Sequence, residues 1–419
     1  MKGLDILEHC GTEYRRLVNN AKWTLASLNW APRFDESNFC ELERHNLTDE
    51  IFVLLHGSAT LIVGEKAERI EMLPLKYYNV RAGIWHHILV SEDARVLVAE
   101  NANTSKDNTE YLSLATGKVF RKYPEFEEVL PDTYLLKVPF GPVWTGIILI
   151  KGEKNILIDS SHLEPEKYLI PALDKLGMKV SDIDWLLNTH VHGDHIGGHH
   201  SLVTKYGLKT ATLKSSADAL RDPVKVAIRV RTRFPKNSPA PQSYLKGVES
   251  DRLLEEGELL EGRFHAVATP GHDDDCLTWI DTKTGTAFTG DSVQANGTPT
   301  QGVGFYRDLQ AYMKSLDKLS DLHLENMVCG HDYDGIGTVI KGAEEVSAAL
   351  KYCKDRVELY DSKIKEYIAS GMSVEEEPVA MALKLIGEVG CGMPDQIFLA
   401  LHTVSEHLKS DMQNFDTKK

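Results

Sequence analysis

The sequence predicts a multidomain chain with an N-terminal all-β module, a central layered α/β domain and a C-terminal helical region. Three observations support this fold class. The chain has 419 residues, more than one hydrophobic core usually serves. Strands separated only by turns give way near residue 133 to alternating strands and helices, and apolar residues recur at helical spacing beyond residue 341. We place the domain boundaries at 1–125, 126–340 and 341–419.

The first module shows short strands at turn-bounded spacing, which predicts a small sandwich or barrel. Its strand segments read EIFVLL, ATLIVG, ERIEML, YYNV, HHILV and ARVLVAE. The stretch 118–132 breaks this pattern and is predicted to be a linker. Beyond it, TYLLKV, TGIILIK, NILIDS and DWLLNTH indicate strands, and KYLIPALDKLG indicates a helix ended by Gly177. Three helices are predicted from AEEVSAALKYCKDRVELYDSKIKEYIASG, VEEEPVAMALKLIGEV and PDQIFLALHTVSEHLKSD.

Composition and charge narrow the class of protein. Hydrophobic residues make up 42% and charged residues 26% of the chain, as in ordinary globular proteins. The net charge of −15 argues against nucleic acid or an anionic membrane as a partner. No apolar run is long enough to span a bilayer and no signal peptide is visible, so a cytoplasmic location is expected. The six cysteines form no Cys-x-x-Cys pair, which indicates structural thiols.

The stretch THVHGDHIGG at 189–198 concentrates potential metal ligands directly after an apolar strand. Because alternate residues of an extended segment point to one side, His190 and His192 can face one ion together. Asp194 and His195 begin the next turn and can face a second ion. Four ligand-type residues within six positions argue against scattered surface histidines, which are the alternative interpretation.

Three further potential ligands follow apolar strands downstream. His272 lies in TPGHDDDC, Asp291 in FTGDS and His331 in VCGHDYDG. The ends of strands are where α/β domains gather ligand sites. Five imidazoles and two carboxylates form a ligand set that suits zinc, manganese or iron.

These motifs resemble the metallo-β-lactamase superfamily, whose signature is His-x-His-x-Asp-His. The resemblance covers about residues 133–340 and implies an αββα sandwich with two divalent metal ions at one edge, zinc first, with iron or manganese as alternatives. The complete ligand set is similar to the glyoxalase II and lactonase branches, which hydrolyse thioesters and lactones. The implied first metal position uses His190, His192 and His272, the second uses Asp194, His195 and His331, and Asp291 bridges them.

The same resemblance implies catalytic roles. Paired divalent ions lower the pKa of a water molecule and polarise an acyl carbonyl, so Asp194 and Asp291 are predicted to be catalytic as well as metal-binding. Tyr306 is the predicted neighbouring donor, with Tyr312 and Tyr333 as alternatives by position; packing roles suit all three.

Asp159 and the aspartate run after His272 each allow two interpretations. Asp159, which ends NILIDS, matches a family carboxylate that supports the metal ligands, or else it caps a turn. The family usually has a hydroxyl residue after the His272 position and a glycine two residues further on. This chain has three consecutive aspartates, Asp273–Asp275, which indicate either a solvated acidic turn or an effect on the metal site.

The N-terminal module resembles the cupin family over roughly residues 25–105. ELERHNLTDEIFVLLHG is similar to the first cupin motif, with Glu43 in place of its first histidine, and RAGIWHH is similar to the second. The resemblance implies a cupin-like barrel with a possible further iron, manganese or zinc ion on Glu43, His45, Glu50 and His86. A metal-free barrel that binds a small ligand or a partner subunit is the alternative.

The segment RDPVKVAIRVRTRFPKNSPAPQSYLK carries seven basic residues and one acid, against the net charge of the chain. A helix would align Lys225, Arg229 and Arg233, whereas a strand would align Arg229, Arg231 and Arg233. The helix is favoured because members of the resembled superfamily carry a helical insertion here, over the active site. We predict that Arg229 and Arg233 bind a carboxylate or phosphate of the substrate. Pairing with the acidic run that begins at Glu255 is the alternative.

The predicted function is hydrolysis of an ester, thioester or lactone bond in a small anionic metabolite. A homodimer is expected because members of both resembled families often self-associate. One alternative is a phosphodiesterase or nuclease that uses the same metal site, and the net acidity argues against it. A ligand-binding regulator with a vestigial hydrolase site is the other alternative, and the complete ligand set argues against it.

Overall fold

The computed structural model describes residues 6–19, 22–102, 104, 109–120, 124–141, 143–162, 164–373, 378–392, 394 and 397–416. The chain divides into two compact units, residues 1–123 and 124–419. The C-terminal helices, which the sequence analysis counts as a separate region from residue 341, therefore belong to the same compact unit as the α/β domain.

The N-terminal unit consists of two antiparallel sheets. Its strands are β1 (Tyr14–Asn19), β2 (Trp23–Asn29), β3 (Glu41–His45), β4 (Glu50–His56), β5 (Ala59–Val63), β6 (Glu68–Glu71), β7 (Tyr77–Val80), β8 (His86–Val90), β9 (Arg95–Asn101), β10 (Thr109–Ser113) and β11 (Val119–Phe120). The sheet orders are β1-β2-β9-β4-β7 and β11-β10-β3-β8-β5-β6. The six predicted strands correspond to β4–β9.

Alternating apolar side chains of both sheets form the core of this unit. Phe52 and Val96 come from the first sheet, and Leu61 and Ile88 come from the second. The predicted cupin-like barrel is not confirmed: the described residues form no closed barrel, and each sheet keeps two outer strands that pair on one side only. The outer strand β6 is short and exposed at all four residues, so it gives little apolar surface with which to close a barrel.

The second unit begins with a seven-stranded sheet in sequential order. Its strands are β12 (Phe126–Leu130), β13 (Thr133–Phe140), β14 (Val143–Ile150), β15 (Ile156–Ile158), β16 (Trp185–Leu187), β17 (Lys209–Leu213) and β18 (Arg252–Leu254). Strands β15 to β18 are parallel. Helices in their connections are α1 (Leu169–Lys175), α2 (Gly193–Ile196), α3 (His199–Thr204), α4 (Ala217–Arg221) and α5 (Pro223–Thr232). Helix α5 confirms the predicted helical insertion.

A five-stranded sheet faces the first and carries the remaining helices. Its strands are β19 (Phe264–Ala268), β20 (Leu277–Asp281), β21 (Thr286–Gly290), β22 (Asn326–Tyr333) and β23 (Gly337–Lys341). One apolar core joins the two sheets through side chains such as Ile158 and Leu187 on one side and Trp279 and Phe288 on the other. The helices are α6 (Leu309–Asp321), α7 (Ala343–Ala369), α8 (Pro378–Val389) and α9 (Phe398–Asp416). They share a second core with the five-stranded sheet.

The predicted linker 118–132 differs from the structure. It contains β11 and the edge strand β12, while its residues 121–123 lie outside the described part of the chain. In β12 the side chain of Phe126 is buried, whereas Glu127 and Glu128 are exposed. A single buried residue gives too weak an alternation to predict a strand. Among the described helices, none combines the length and apolar character that crossing a bilayer requires.

Candidate metal centre

The structure brings the seven predicted metal ligands together from four segments of the second unit. His190 and His192 follow β16, and Asp194 and His195 lie in the short helix α2. Of the other three, His272 follows β19, Asp291 follows β21 and His331 lies within β22. Gly330 leaves room for this packing, since a Cβ atom there would lie 2.7 Å from Asp291 Oδ1.

The ligand atoms fall into two groups that share one carboxylate. His190, His192 and His272 present atoms within 4.8 Å of one another, and so do Asp194, His195 and His331. Asp291 faces both groups: its Oδ1 lies 3.2 Å from His195 Nε2, and its Oδ2 lies 3.4 Å from His272 Nε2. This placement suits a carboxylate that bridges two cations.

Each imidazole has an outer nitrogen within hydrogen-bond distance of a fixed acceptor, and donation of that N–H would leave the inner nitrogen a lone pair for a metal ion. His272 Nδ1 donates to the Phe305 carbonyl at 2.8 Å, and His331 Nδ1 donates to the Trp144 carbonyl at 2.7 Å. The other three imidazoles donate to side chains: His190 to the Thr189 hydroxyl, His192 to Asp273 and His195 to Asp159. Such outer partners select the tautomer that binds metal.

The inner atoms fit cations better than they fit one another. The His192 Nδ1 and His272 Nε2 atoms are only 3.0 Å apart, although neither carries a proton in these tautomers. His190 Nε2 is fully buried and has no hydrogen-bond partner among the described residues. Burial lowers the pKa of His272 to about 4 and holds the pKa of His190 well below its usual value, which keeps both rings neutral. The donor set therefore fits two divalent ions of the zinc, iron or manganese type.

Asp159 supports the second group of ligands. Its Oδ2 accepts hydrogen bonds at 2.8 Å from His195 Nδ1 and the Thr189 hydroxyl, and its Oδ1 accepts one from the Thr189 backbone N–H, also at 2.8 Å. The residue is buried and adopts a φ of 62°, in the left-handed region that non-glycine residues rarely adopt. These three bonds hold the strained turn after β15 and orient His195.

The three candidate tyrosines differ in how close they lie to the metal ligands. The hydroxyl of Tyr306 lies 2.7 Å from His407 Nε2 in helix α9, and its ring stacks on Tyr312 within the core, so the structure does not bring Tyr306 to the metal ligands. The Tyr312 hydroxyl accepts the backbone N–H of Gln294. Tyr333 lies beside the candidate ligands: its ring centre is 5.9 Å from that of His331, and burial and the neighbouring Asp291 hold its pKa well above the usual value.

The two arginines predicted to bind substrate are paired with acids of the protein itself. Arg229 binds Asp273 and, at 2.5 Å, Asp274, whereas Arg233 binds Glu406 at 2.8 Å. Neither lines the cavity over the metal ligands. Arg229 in helix α5 and Arg233 directly after it both face carboxylates that lie far away in the sequence, and this placement does not support their predicted role.

A cavity of about 470 Å³ opens onto the candidate metal ligands. His192, Asp194, His272, Asp291 and His331 line it on the metal side. Its walls are largely apolar and include Phe140, Val143, Val191, Val230, Phe305, Phe398 and Leu399, with polar contributions from Gln242, Thr298, Thr300 and Gln301. Arg231 also lines the cavity, and its guanidinium carbon lies 4.6 Å from the centre of the Phe398 ring.

The aspartate run after His272 is not a solvated turn. Asp273 and Asp275 are buried, and only Asp274 is exposed. The Asp275 Oδ2 atom accepts the backbone N–H of Val191 at 2.8 Å. The sequence analysis left open an effect of this run on the metal site, because the run departs from the family pattern, but it missed Arg307, which binds Asp273 at 2.5 Å.

The N-terminal unit has a separate buried cluster that contains the predicted cupin residues. The Nε2 atoms of His45 and His86 lie 3.1 and 2.9 Å from the same oxygen of Glu50. Both imidazoles also have outer partners, the Thr109 hydroxyl and the Ile84 carbonyl. Glu43 lies within reach of both histidines. Although burial opposes these shifts, the histidines lower the pKa of Glu50 to about 2, and Glu50 raises the pKa of His86 to about 9.

Sequence reasoning missed one member of this cluster, Glu100. It occupies an inward position of β9, where its neighbours Val96 and Val98 are buried. Its side chain lies close to His45 and Glu50 and also binds Tyr14 and Arg16. Burial raises the pKa of Glu100. A glutamate at an inward strand position was the available signal.

Comparisons with known proteins match the part of the chain that carries this centre. Residues 138–331 match the family model described as the metallo-beta-lactamase superfamily. A Beta-lactamase-like protein 2 homolog of Drosophila melanogaster is 30% identical over 188 residues, which is 44% of this chain and 56% of that protein. The match thus covers little more than half of that relative.

A hydroxyacylglutathione hydrolase of Rhodopseudomonas palustris is 28% identical over 224 residues, 52% of this chain and 74% of that protein. A metallo-beta-lactamase family protein of Thermus thermophilus shares the fold with a TM-score of 0.54 and 21% identity, covering 68% of this chain and 95% of that structure. Residues 138–331 therefore form a metallo-beta-lactamase superfamily domain, and members of that superfamily are metal-dependent hydrolases.

Proposed function

We propose that this chain is a dinuclear metal-dependent hydrolase of an ester, thioester or lactone bond in a small anionic metabolite. The observation that carries the proposal is the arrangement of five imidazoles and two carboxylates in two groups of potential ligands, with Asp291 next to both groups. When bound, the ions would lower the pKa of a water nucleophile and hold the charge that develops on the carbonyl oxygen. The name hydroxyacylglutathione hydrolase, carried by one relative, supports a thioester substrate.

The protein supplies orientation and a largely apolar cavity for this reaction. Phe305 contacts His272 through its ring, at 4.8 Å between centres, and fixes the same imidazole through its carbonyl. Its side chain also lines the cavity, so one residue both orients a ligand and excludes water from it. A cavity of about 470 Å³ accommodates a small metabolite and not a folded polymer.

A substrate panel on the metal-loaded full chain tests the proposal. We expect turnover of carboxylic esters, thioesters or lactones, loss of that turnover after chelation, and recovery when zinc, iron or manganese is added back. Turnover confined to phosphodiesters or single-stranded RNA would replace the proposal with a nuclease function. Two bound ions without turnover of any substrate would favour a regulator.

Arg231 is the residue that we propose contacts the anionic group of the substrate. It is partly buried in the cavity wall, and burial lowers its pKa, although the nearby Asp194 favours its charged form. We expect Arg231→Gln to raise KM for an anionic substrate about tenfold or more, because a hydrogen bond to a charged group contributes about 1.5–3 kcal/mol. The KM of a neutral ester should change far less.

The matched control for Arg231→Gln is Lys225→Gln on the same helix. Lys225 is exposed and does not line the cavity, so its replacement removes the same charge without touching the substrate. Equal increases of KM for anionic and neutral substrates in Arg231→Gln would contradict the assignment.

We propose further that the N-terminal unit is a cupin-like module whose cluster binds a third divalent ion. Glu43, Glu50 and Glu100 surround two imidazoles, and this mixture of carboxylate and imidazole ligands suits a divalent cation. Both imidazoles direct Nε2 toward Glu50, and their outer nitrogens are held by Thr109 and Ile84. The metal-free alternative is an ion pair between Glu50 and the histidines.

Metal counting distinguishes these alternatives. We expect His45→Ala to lower the metal content of the full chain by one ion and to leave the two ions of the second unit in place. His56→Ala is the control, because that imidazole is exposed in the same unit. An unchanged metal count in His45→Ala, measured by elemental analysis, would support the metal-free ion pair.

A further inference from the structure

Asp273 is a fully buried carboxylate beside the first group of metal ligands. Its Oδ2 atom lies 3.1 Å from His192 Nε2, so His192 donates outward and keeps Nδ1 free on the side of His272. The residue stands where the resembled family usually has a hydroxyl side chain. A carboxylate that accepts a hydrogen bond from a metal-bound imidazole fixes the ring and makes it a stronger ligand.

The orientation of Asp273 is set by three donors on its other oxygen. Oδ1 accepts from Arg229, from Arg307 at 2.5 Å and from the backbone N–H of Asp274 at 2.8 Å. These bonds occupy Oδ1 and direct Oδ2 at His192. Arg307 precedes helix α6 and Arg229 belongs to helix α5. Asp273 therefore links both segments to the His192 imidazole through hydrogen bonds.

The polypeptide around His192 is held from the same short turn. Asp275, two residues after Asp273, accepts the backbone N–H of Val191. One turn therefore fixes both the backbone before His192 and the ring of His192 itself. This arrangement parallels the second group of ligands, where Asp159 binds both Thr189 and His195.

We propose that Asp273 is a positioning residue for His192 that strengthens metal binding at the first position, with Arg229 and Arg307 holding its carboxylate in place. The inference rests on the proposed dinuclear function but concerns metal affinity, which is measured without any substrate. Asp273 touches no substrate; it acts through His192. The hydroxyl that the family usually has at this position has only one oxygen and could not bind His192 and both arginines together.

The test measures zinc affinity of the full chain by competition with a chelator, together with the visible spectrum of the cobalt(II)-loaded protein. We expect Asp273→Asn to weaken one of the two ions of the second unit about 10–100-fold, the usual cost of losing such an outer partner, and to shift the cobalt bands of that ion. The other ion should bind as in the wild type. Asp274→Asn is the matched control, because Asp274 also binds Arg229 but is exposed and does not contact His192.

A second variant separates positioning from general packing. Arg229→Gln removes the ion pair between Arg229 and Asp273 but leaves the contact between His192 and Asp273. We therefore expect a smaller loss of zinc affinity than in Asp273→Asn. Equal losses in the two variants, or unchanged zinc affinity and cobalt spectrum in Asp273→Asn, would overturn the inference alone. If Asp273→Asn does not fold, Arg307→Gln is tested in its place. Weaker binding of one ion of the second unit supports the inference, and unchanged binding of both ions of that unit overturns it. A wild-type chain that binds no ion would overturn the proposed function as well.

Discussion

Replacing Asp291 with asparagine is expected to lower the turnover number by about a thousandfold or more, while the fold is preserved. The two oxygens of Asp291 face both groups of ligands, at 3.2 Å from His195 Nε2 and 3.4 Å from His272 Nε2. Asparagine has nearly the same shape, but it has no negative charge and offers only one oxygen. It cannot bridge two cations, and the loss is largest in the transition state, where charge develops.

The measurement compares turnover and bound metal on one preparation of Asp291→Asn. Asp332→Asn is the matched control, because Asp332 is an exposed carboxylate of β22 next to His331. Thermal melting should show that both variants remain folded. Near wild-type turnover with two ions bound in Asp291→Asn would contradict the bridging assignment and with it the proposed second metal position.

The candidate ligands could be predicted because their signal is local. His190, His192, Asp194 and His195 lie within six residues, so the period of an extended strand and one helical turn suffices to group them. His272 and Asp291 closely follow apolar strands, which the sheet brings to a common region. The matched superfamily over 138–331 confirms the fold that these motifs indicate.

The roles of the arginines and tyrosines could not be predicted because their partners are distant in the sequence. Arg229 is 44 residues from Asp273, and Tyr306 is 101 residues from His407. Local pattern shows that Arg229 lies on one face of a helix, but not whether that face meets substrate or a carboxylate of the protein. Arg231, which reaches the cavity, lies on a different face of the same turn.

In the N-terminal unit, the way in which whole sheets pair could not be predicted from local patterns either. Alternation predicts strands such as β4 and β9 well, since most of their inward residues are apolar. Whether two sheets close into a barrel depends on the pairing of edge strands such as β6, which alternation within one strand does not report.

Asp159→Asn is expected to produce the second large effect, on both stability and metal binding. The residue accepts three hydrogen bonds in a buried position, and the Oδ2 atom alone receives two donors, His195 Nδ1 and the Thr189 hydroxyl. Whichever way the new amide turns, its NH₂ group faces at least one donor. Because a buried donor left without an acceptor costs about 1–3 kcal/mol, we expect the free energy of unfolding of the metal-free chain to fall by about 3 kcal/mol.

The same substitution releases the ring of His195. Its outer N–H loses a charged acceptor, so the ring is less well oriented and is a weaker ligand for the second metal position. We expect zinc to bind that position about 10–100-fold more weakly, as measured by chelator competition, while the position that contains His192 is retained. Asp174→Asn, an exposed substitution in helix α1, is the control for both measurements. Asp159 would be only a turn residue if stability fell but both ions kept their wild-type affinity, because only its support of His195 links the carboxylate to the metal.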